Sequence, residues 1–157
     1  MKYIGEKLEG KEYEERKATY VLISNDDGNI AIVQQGKMYN MIGGKIEYGE
    51  ESKGALIRET KEEIGYELKN IKYLDSLGCY YYIVFLDKYV LAEIDFYTAN
   101  FGKKICEPIE KDIKLLWVKP EDVVDEMYFE YHRYFLKKYL GRNKKININE
   151  LYKLQLV

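Results

Sequence analysis

The 157-residue chain is poor in the residues that staple or ligate. It has one histidine, two cysteines, two prolines and one tryptophan. Cys79 and Cys106 lie far apart without metal-ligand spacing, which excludes a disulfide framework and a Cys/His metal site. His132 stands alone in EYHRYFLKKYL, so a Ser-His-Asp or Cys-His mechanism would rest on one distant imidazole; packing or surface is the expected role. No apolar run approaches the roughly 20 residues that span a bilayer. The first stretch, MKYIGEKLEGKEYEERK, is charged and lacks an apolar signal core, so no membrane association and a cytoplasmic location are expected. Net charge is −2, which excludes a global basic field and an extended nucleic-acid surface.

What is present suits a folded domain. Hydrophobic residues make up 46% and charged residues 33%, enough for one domain over 1–157 with a sizeable core and with 1–16 and 141–157 as peripheral segments. KATYVLIS (17–24) and IAIVQQ (30–35) read as a strand hairpin around the turn NDDGN. A glycine bend at 43–44 precedes an extended piece, KIEY, and a helix from about Glu51 to Ile64, with acids suiting its start and Gly65 its end. Residues 69–77 read as a short strand. YYYIVFLDKYVLAEIDFYTANF (80–101) reads as two long strands turning near Asp87-Lys88, and IKLLWV (113–118) as another. Pro120 opens a short helical segment, residues 128–140 form a closing helix, and the tail 141–157 is ambiguous between strand, helix and frayed end. The sum is an α/β layered domain with a mixed sheet.

The predicted helix contains RETKEE, where Glu59, Glu62 and Glu63 share an arc of about 100°. Leu56, Ile57, Thr60 and Ile64 form the expected core stripe beside it. A solvated Lys/Glu helix alternates sign along a face; here the third and fourth neighbours repel. A divalent cation would remove the conflict, since clustered carboxylates suit hard ions. Gly43-Gly44 lets the backbone approach a ligand closely.

Gly44, Glu50, Arg58-Glu59, Glu62-Glu63 and Gly65 fall at every fixed position of G-x5-E-x7-R-E-U-x-E-E-x-G-U, where U is bulky and aliphatic. Residues 44–66 thereby resemble the Nudix box of the MutT-like Nudix hydrolases, with Thr60 and Tyr66 departing at the aliphatic positions and Ile42 standing where proline is frequent. The resemblance implies an α/β/α sandwich and hydrolysis of a nucleoside diphosphate linked to another group, with Mg2+ or Mn2+ as cofactor. It implies that Glu59, Glu62 and Glu63 bind metal with a carbonyl from Gly43 or Gly44. Glu50 and Arg58 would orient them. One of these acids, or a glutamate outside the box, would act as base. It also implies a later acidic ligand, Glu110 before Glu107 or Asp112, and a stacking aromatic, Tyr39 or Tyr48. A monomer or homodimer is expected. Two other readings are a catalytically silent nucleotide-binding module, disfavoured by the intact acids, and an isopentenyl diphosphate isomerase, for which nothing around Cys79 marks an activated thiol.

Overall fold

The computed structural model describes residues 1–140; the expectation for the tail 141–157 lies outside them. The elements are β1 (Lys2–Ile4), β2 (Glu14–Leu22), β3 (Ile30–Gln35), β4 (Met38–Asn40), β5 (Ile42–Lys45), α1 (Ser52–Ile64), β6 (Tyr66–Ile83), β7 (Lys88–Lys104), β8 (Ile113–Val118), α2 (Pro120–Val123) and α3 (Glu130–Leu140). A mixed five-stranded sheet runs β1-β6-β7-β2-β5, and a three-stranded sheet runs β4-β3-β8. In the larger sheet β2 and β7 are parallel, while β2–β5 and β6–β7 are antiparallel.

The chain therefore forms an α/β/α sandwich. On one side Val21, Ile23, Ile42 and Tyr97 pack with Leu56 and Ile64 of α1. On the other, Ala18, Tyr20, Leu22, Ile94 and Phe96 pack with Tyr131, Phe135 and Leu136 of α3. Phe96 and Phe135 stack with ring centroids 3.9 Å apart. Successive β2 side chains thus serve opposite cores, as the strand period of two requires.

That double burial corrects the expected first hairpin. β2 and β3 separate into different sheets, linked along the backbone by the Ser24–Ile30 bridge and the Ala31 N–H on the Ile23 carbonyl. A strand apolar on both faces belongs in a sheet interior, so β2 pairs with β7 and β5 instead. The short strand expected at 69–77 is part of β6, which runs from Tyr66 to Ile83. The turn near Asp87 stands: Asp87 adopts φ +47° after a single 3-10 turn over Val84–Leu86. The glycines also differ from expectation. Gly43 and Gly44 sit inside β5, opposite Tyr20 and Thr19, and the turn comes later, at Tyr48-Gly49. Helix α1 begins at Ser52, so Glu50 and Glu51 precede its first turn, which holds no acid. Within the N-terminal segment, β1 adds a parallel edge strand on Leu77–Cys79.

His132 is fully buried in α3; its Nδ1 accepts from the Met41 N–H at 3.5 Å, and its ring meets Tyr20 edge-on at 4.2 Å. Burial, with the neighbouring Arg133 charge, pushes its pKa from 6.5 down to about 3. The folded imidazole stays neutral while the unfolded one protonates, so the unfolded state binds the extra proton between these values. Stability contributed by the neutral ring is present above pH 6.5 and is lost as pH falls toward 3. The unfolding free energy of the wild type should drop on acidification below pH 6 by up to about 1.4 kcal/mol per pH unit more than that of His132→Gln. Urea titrations at several pH values check this, and equal slopes would refute it.

Candidate active site

The acidic helix is held at both ends. Gly65 closes α1 at φ +75°, its N–H on the Lys61 carbonyl, and a Cβ there would lie 2.0 Å from the Cys106 carbonyl oxygen. That close approach lays the following loop on the last helical turn. Ile109 and Glu110 donate their N–H groups to the Glu62 carbonyl at 3.0 and 3.3 Å, and Ile105 donates to Gly65 at 2.8 Å. Carbonyls left open at a helix end thereby find donors. Thr60 fills its box position because its hydroxyl donates to the Leu56 carbonyl at 2.7 Å, leaving its methyl to pack.

The buried face of α1 is not the predicted stripe. Ala55, Leu56, Thr60, Glu63 and Ile64 are buried, whereas Ile57 is 45% exposed. The stripe has turned so that Glu63 lies inside it, only 7% exposed. Glu63 Oε1 accepts from the Gly43 N–H at 2.9 Å. Burial raises its pKa well above the ordinary carboxylate range; the Gly43 hydrogen bond opposes this, and the charges of Glu59, Glu110 and Glu62 add to it. The raised pKa of Glu59 has the same leading cause, burial, with Arg58 acting against it. Gly44 makes room for that side chain: a Cβ at residue 44 would sit 2.6 Å from the Glu59 carboxyl carbon.

Arg58 is the cationic hub. It clamps Glu50 with two bonds, Nε to Oε2 at 2.8 Å and Nη2 to Oε1 at 2.9 Å. Its Nη1 reaches Glu59 at 3.1 Å and Glu62 at 3.3 Å, and Nη2 also donates to the Lys45 carbonyl at 3.0 Å. The Arg58 hydrogen bond holds the Glu50 carboxyl below its usual pKa, and the Glu47 N–H adds to this through a 2.8 Å bond. A bidentate guanidinium–carboxylate pair fixes direction as well as charge.

The structure thus gathers Glu50, Arg58, Glu59, Glu62, Glu63, Gly43 and Gly44, and brings Glu110 near enough for its charge to act on Glu59 and Glu63. Its rival Glu107 instead pairs with Lys104 at 3.2 Å. As the side chains lie, no three acids, histidines or cysteines among the described residues converge on a single ion position. Arg58 draws Glu59 and Glu62 toward itself, and Gly43 holds Glu63. The two tyrosines are not brought to the acids. Tyr48 is fully exposed in its turn, and Tyr39 lines a separate cavity of about 540 Å3 with Trp117 and Lys119. Sequence reasoning missed Arg16, whose Nε is buried without a hydrogen-bond partner. Its signal was available: Arg16 shares a strand face with Ala18, Tyr20 and Leu22, all buried.

Residues 14–139 match the family model of the NUDIX domain. A NUDIX hydrolase from Nitrosomonas europaea is similar in structure, with a TM-score of 0.66 at 14% identity over 86% of this chain and 95% of that one. A mutator MutT protein from Bacillus halodurans gives 0.64 at 20% identity, covering 82% and 84%. The dihydroneopterin triphosphate pyrophosphohydrolase of E. coli gives 0.64 at 13%, covering 85% and 95%. At these identities the likeness is one of fold. No curated protein matches the sequence.

Gly43 adopts φ +145°, and a Cβ there would stand 2.0 Å from the Thr19 carbonyl oxygen. Gly43→Ala should therefore force β5 off β2 and lower stability by about 3 kcal/mol or more, read from urea midpoints. Wild-type stability in this variant would show that the contact is not rigid.

Proposed function

The chain belongs to the Nudix family and is a hydrolase acting on phosphoanhydride bonds; from that premise we propose that it cleaves a nucleoside diphosphate linked to another group, with Mg2+ or Mn2+ at the acidic face of α1. The observation that carries this reading is the burial of Glu63 beside Glu59 and Glu110, with Arg58 the one cation bonded to the box acids among the described residues. Glu50 takes two of that guanidinium's bonds. Carboxylates packed this way repel one another and would repel a diphosphate. A divalent cation inverts the local field and offers Lewis-acid stabilisation to developing phosphoryl charge.

The donor set fits such an ion: every candidate is a hard carboxylate or carbonyl oxygen. Glu59, Glu62 and Glu63 would hold it, with the Gly43–Gly44 backbone alongside and Glu110 completing the acidic wall. Arg58 and Glu50 orient these ligands. Arg58 ties Glu59 and Glu62 to the Lys45 carbonyl, and so ties the helix to β5. The Gly43 N–H sets the direction of the Glu63 carboxylate. Burial keeps bulk water from screening these charges, and holding the acids in place lets an attacking water be aligned.

Two outcomes are expected. Glu59→Gln, Glu62→Gln and Glu63→Gln should each lower kcat by orders of magnitude on a panel of nucleoside diphosphate compounds, and EDTA should abolish turnover. Retained activity in all three variants would remove the acids from the reaction. Separately, metal-free Glu63→Gln should melt above the metal-free wild type, because a buried charge and its repulsions are removed. Mn2+ should then raise the melting temperature of the wild type and not that of the variant. A lower melting temperature for metal-free Glu63→Gln would overturn the repulsion argument.

A further inference from the structure

A buried hydroxyl without a partner lies under the acidic helix. Thr19 of β2 is fully buried, and its Oγ1 makes no hydrogen bond. A hydroxyl removed from water and left unpaired destabilises a fold. Strand preference does not ask for the oxygen, since valine suits a strand equally and fills nearly the same space. Thr19 therefore carries a polar atom that no other described residue uses.

Strand register shows what the hydroxyl faces. Thr19 stands opposite Gly44 in the antiparallel β2–β5 pair, and Val21 opposite Ile42 two residues on. Val21 and Ile42 pack with Leu56 of α1, so Thr19 and Gly44 lie on the sheet face that α1 covers. Cross-strand partners on one face hold their Cβ positions about 5 Å apart. A Cβ at residue 44 would meet the Glu59 carboxylate, 2.7 Å from Oε2 and 2.8 Å from Oε1. The Thr19 hydroxyl and the Glu59 carboxylate thus border one small space, which the missing side chain of Gly44 keeps open. The Arg58 bond to Glu59, at 3.1 Å, goes to Oε1. On its other side Thr19 is in register with Asp95 of β7. That carboxylate already accepts from the Ser76 hydroxyl at 2.6 Å, and Ser76 Oγ meets the Tyr73 hydroxyl at 2.6 Å. Glu59 Oε2 is the acceptor left to Thr19.

We propose that Thr19 is a positioning residue of the acidic centre: its hydroxyl donates to Glu59 Oε2 when a divalent cation is bound there, and so fixes the turn of that carboxylate toward the ion. The inference rests on the metal-dependent function proposed above and adds to it a residue outside the box. Carboxylates that bind metals are themselves held by hydrogen bonds from groups that do not touch the ion, and losing such a group weakens the metal. A hydroxyl bonded to a charged carboxylate is a stronger contact than one between neutral groups. Arg58 holds one oxygen of Glu59 from the solvent side of the helix, and Thr19 holds the other from the sheet.

Calorimetric titration of the nucleotide-free protein with Mn2+, paired with thermal melting in EDTA, tests this without turnover. Thr19→Val should weaken Mn2+ binding about tenfold or more. Thr19→Ser, which keeps the hydroxyl, should restore most of the affinity. In EDTA, Thr19→Val should melt at or above the wild type, because an unpaired hydroxyl gives way to a methyl group. Wild-type Mn2+ affinity in Thr19→Val would overturn the proposal, and so would equal weakening in Thr19→Val and Thr19→Ser. A lower melting temperature for Thr19→Val in EDTA would show that the hydroxyl is already bonded within the chain, and would overturn it as well. The wild type separates the two readings. Mn2+ uptake that Thr19→Val leaves unchanged removes the role of Thr19 alone, whereas no uptake by the wild type overturns the metal chemistry and this inference with it.

Discussion

The contact between Glu63 and the Gly43 N–H is the constraint on which the rest of the site depends. A carboxylate that is 7% exposed cannot stay charged in a protein core without donors or cations. Here one backbone N–H at 2.9 Å is its hydrogen-bond partner, on an edge strand whose glycines let it lie against β2 and leave space for Glu59. Everything near that contact is arranged to tolerate, or to use, an excess of negative charge.

Arg58 distributes that charge. Its two bonds to Glu50 fix the guanidinium, and its remaining reach ties Glu59, Glu62 and the Lys45 carbonyl into one network. The network couples α1 to β5 mechanically. As the side chains lie, Glu59, Glu62 and Glu63 do not converge on one ion position among the described residues. Arg58 is thus a cation internal to the network, paired with Glu50, Glu59 and Glu62.

The loop of residues 105–110 shows how the fold recruits residues that no local pattern specifies. Its N–H groups terminate α1 by bonding the carbonyls of Glu62 and Gly65, and the same backbone contacts bring Glu110 to the acids. Capping and acid placement are one event. On the opposite face, the β6–β7 hairpin places Leu86 over the cavity that holds Arg16. Both additions come from segments that follow the box in sequence, and the loop meets it directly at the carbonyls of Glu62 and Gly65.

Much of this was readable from local order. The spacing from Gly44 to Gly65, the helix that carries the acids, the termination at Gly65, and the strands Ile30–Gln35 and Ile113–Val118 follow from periodicity and turn chemistry acting over a few residues. Other features depend on which surfaces meet. Whether β2 pairs with β3, which side of α1 turns inward, and whether Glu110 or Glu107 faces the acids are settled by partners distant in sequence. Ile57 was expected inside and lies outside because the helix rotates to bury Glu63 against β5, a contact that a helical wheel does not contain. The sequence by itself determined the chemical inventory and its local periodicity, because these arise from short-range sterics and charge. The tertiary structure alone decided strand pairing, the burial of Glu63 and the neighbours of Arg16, because those depend on long-range packing and on the removal of water from particular faces.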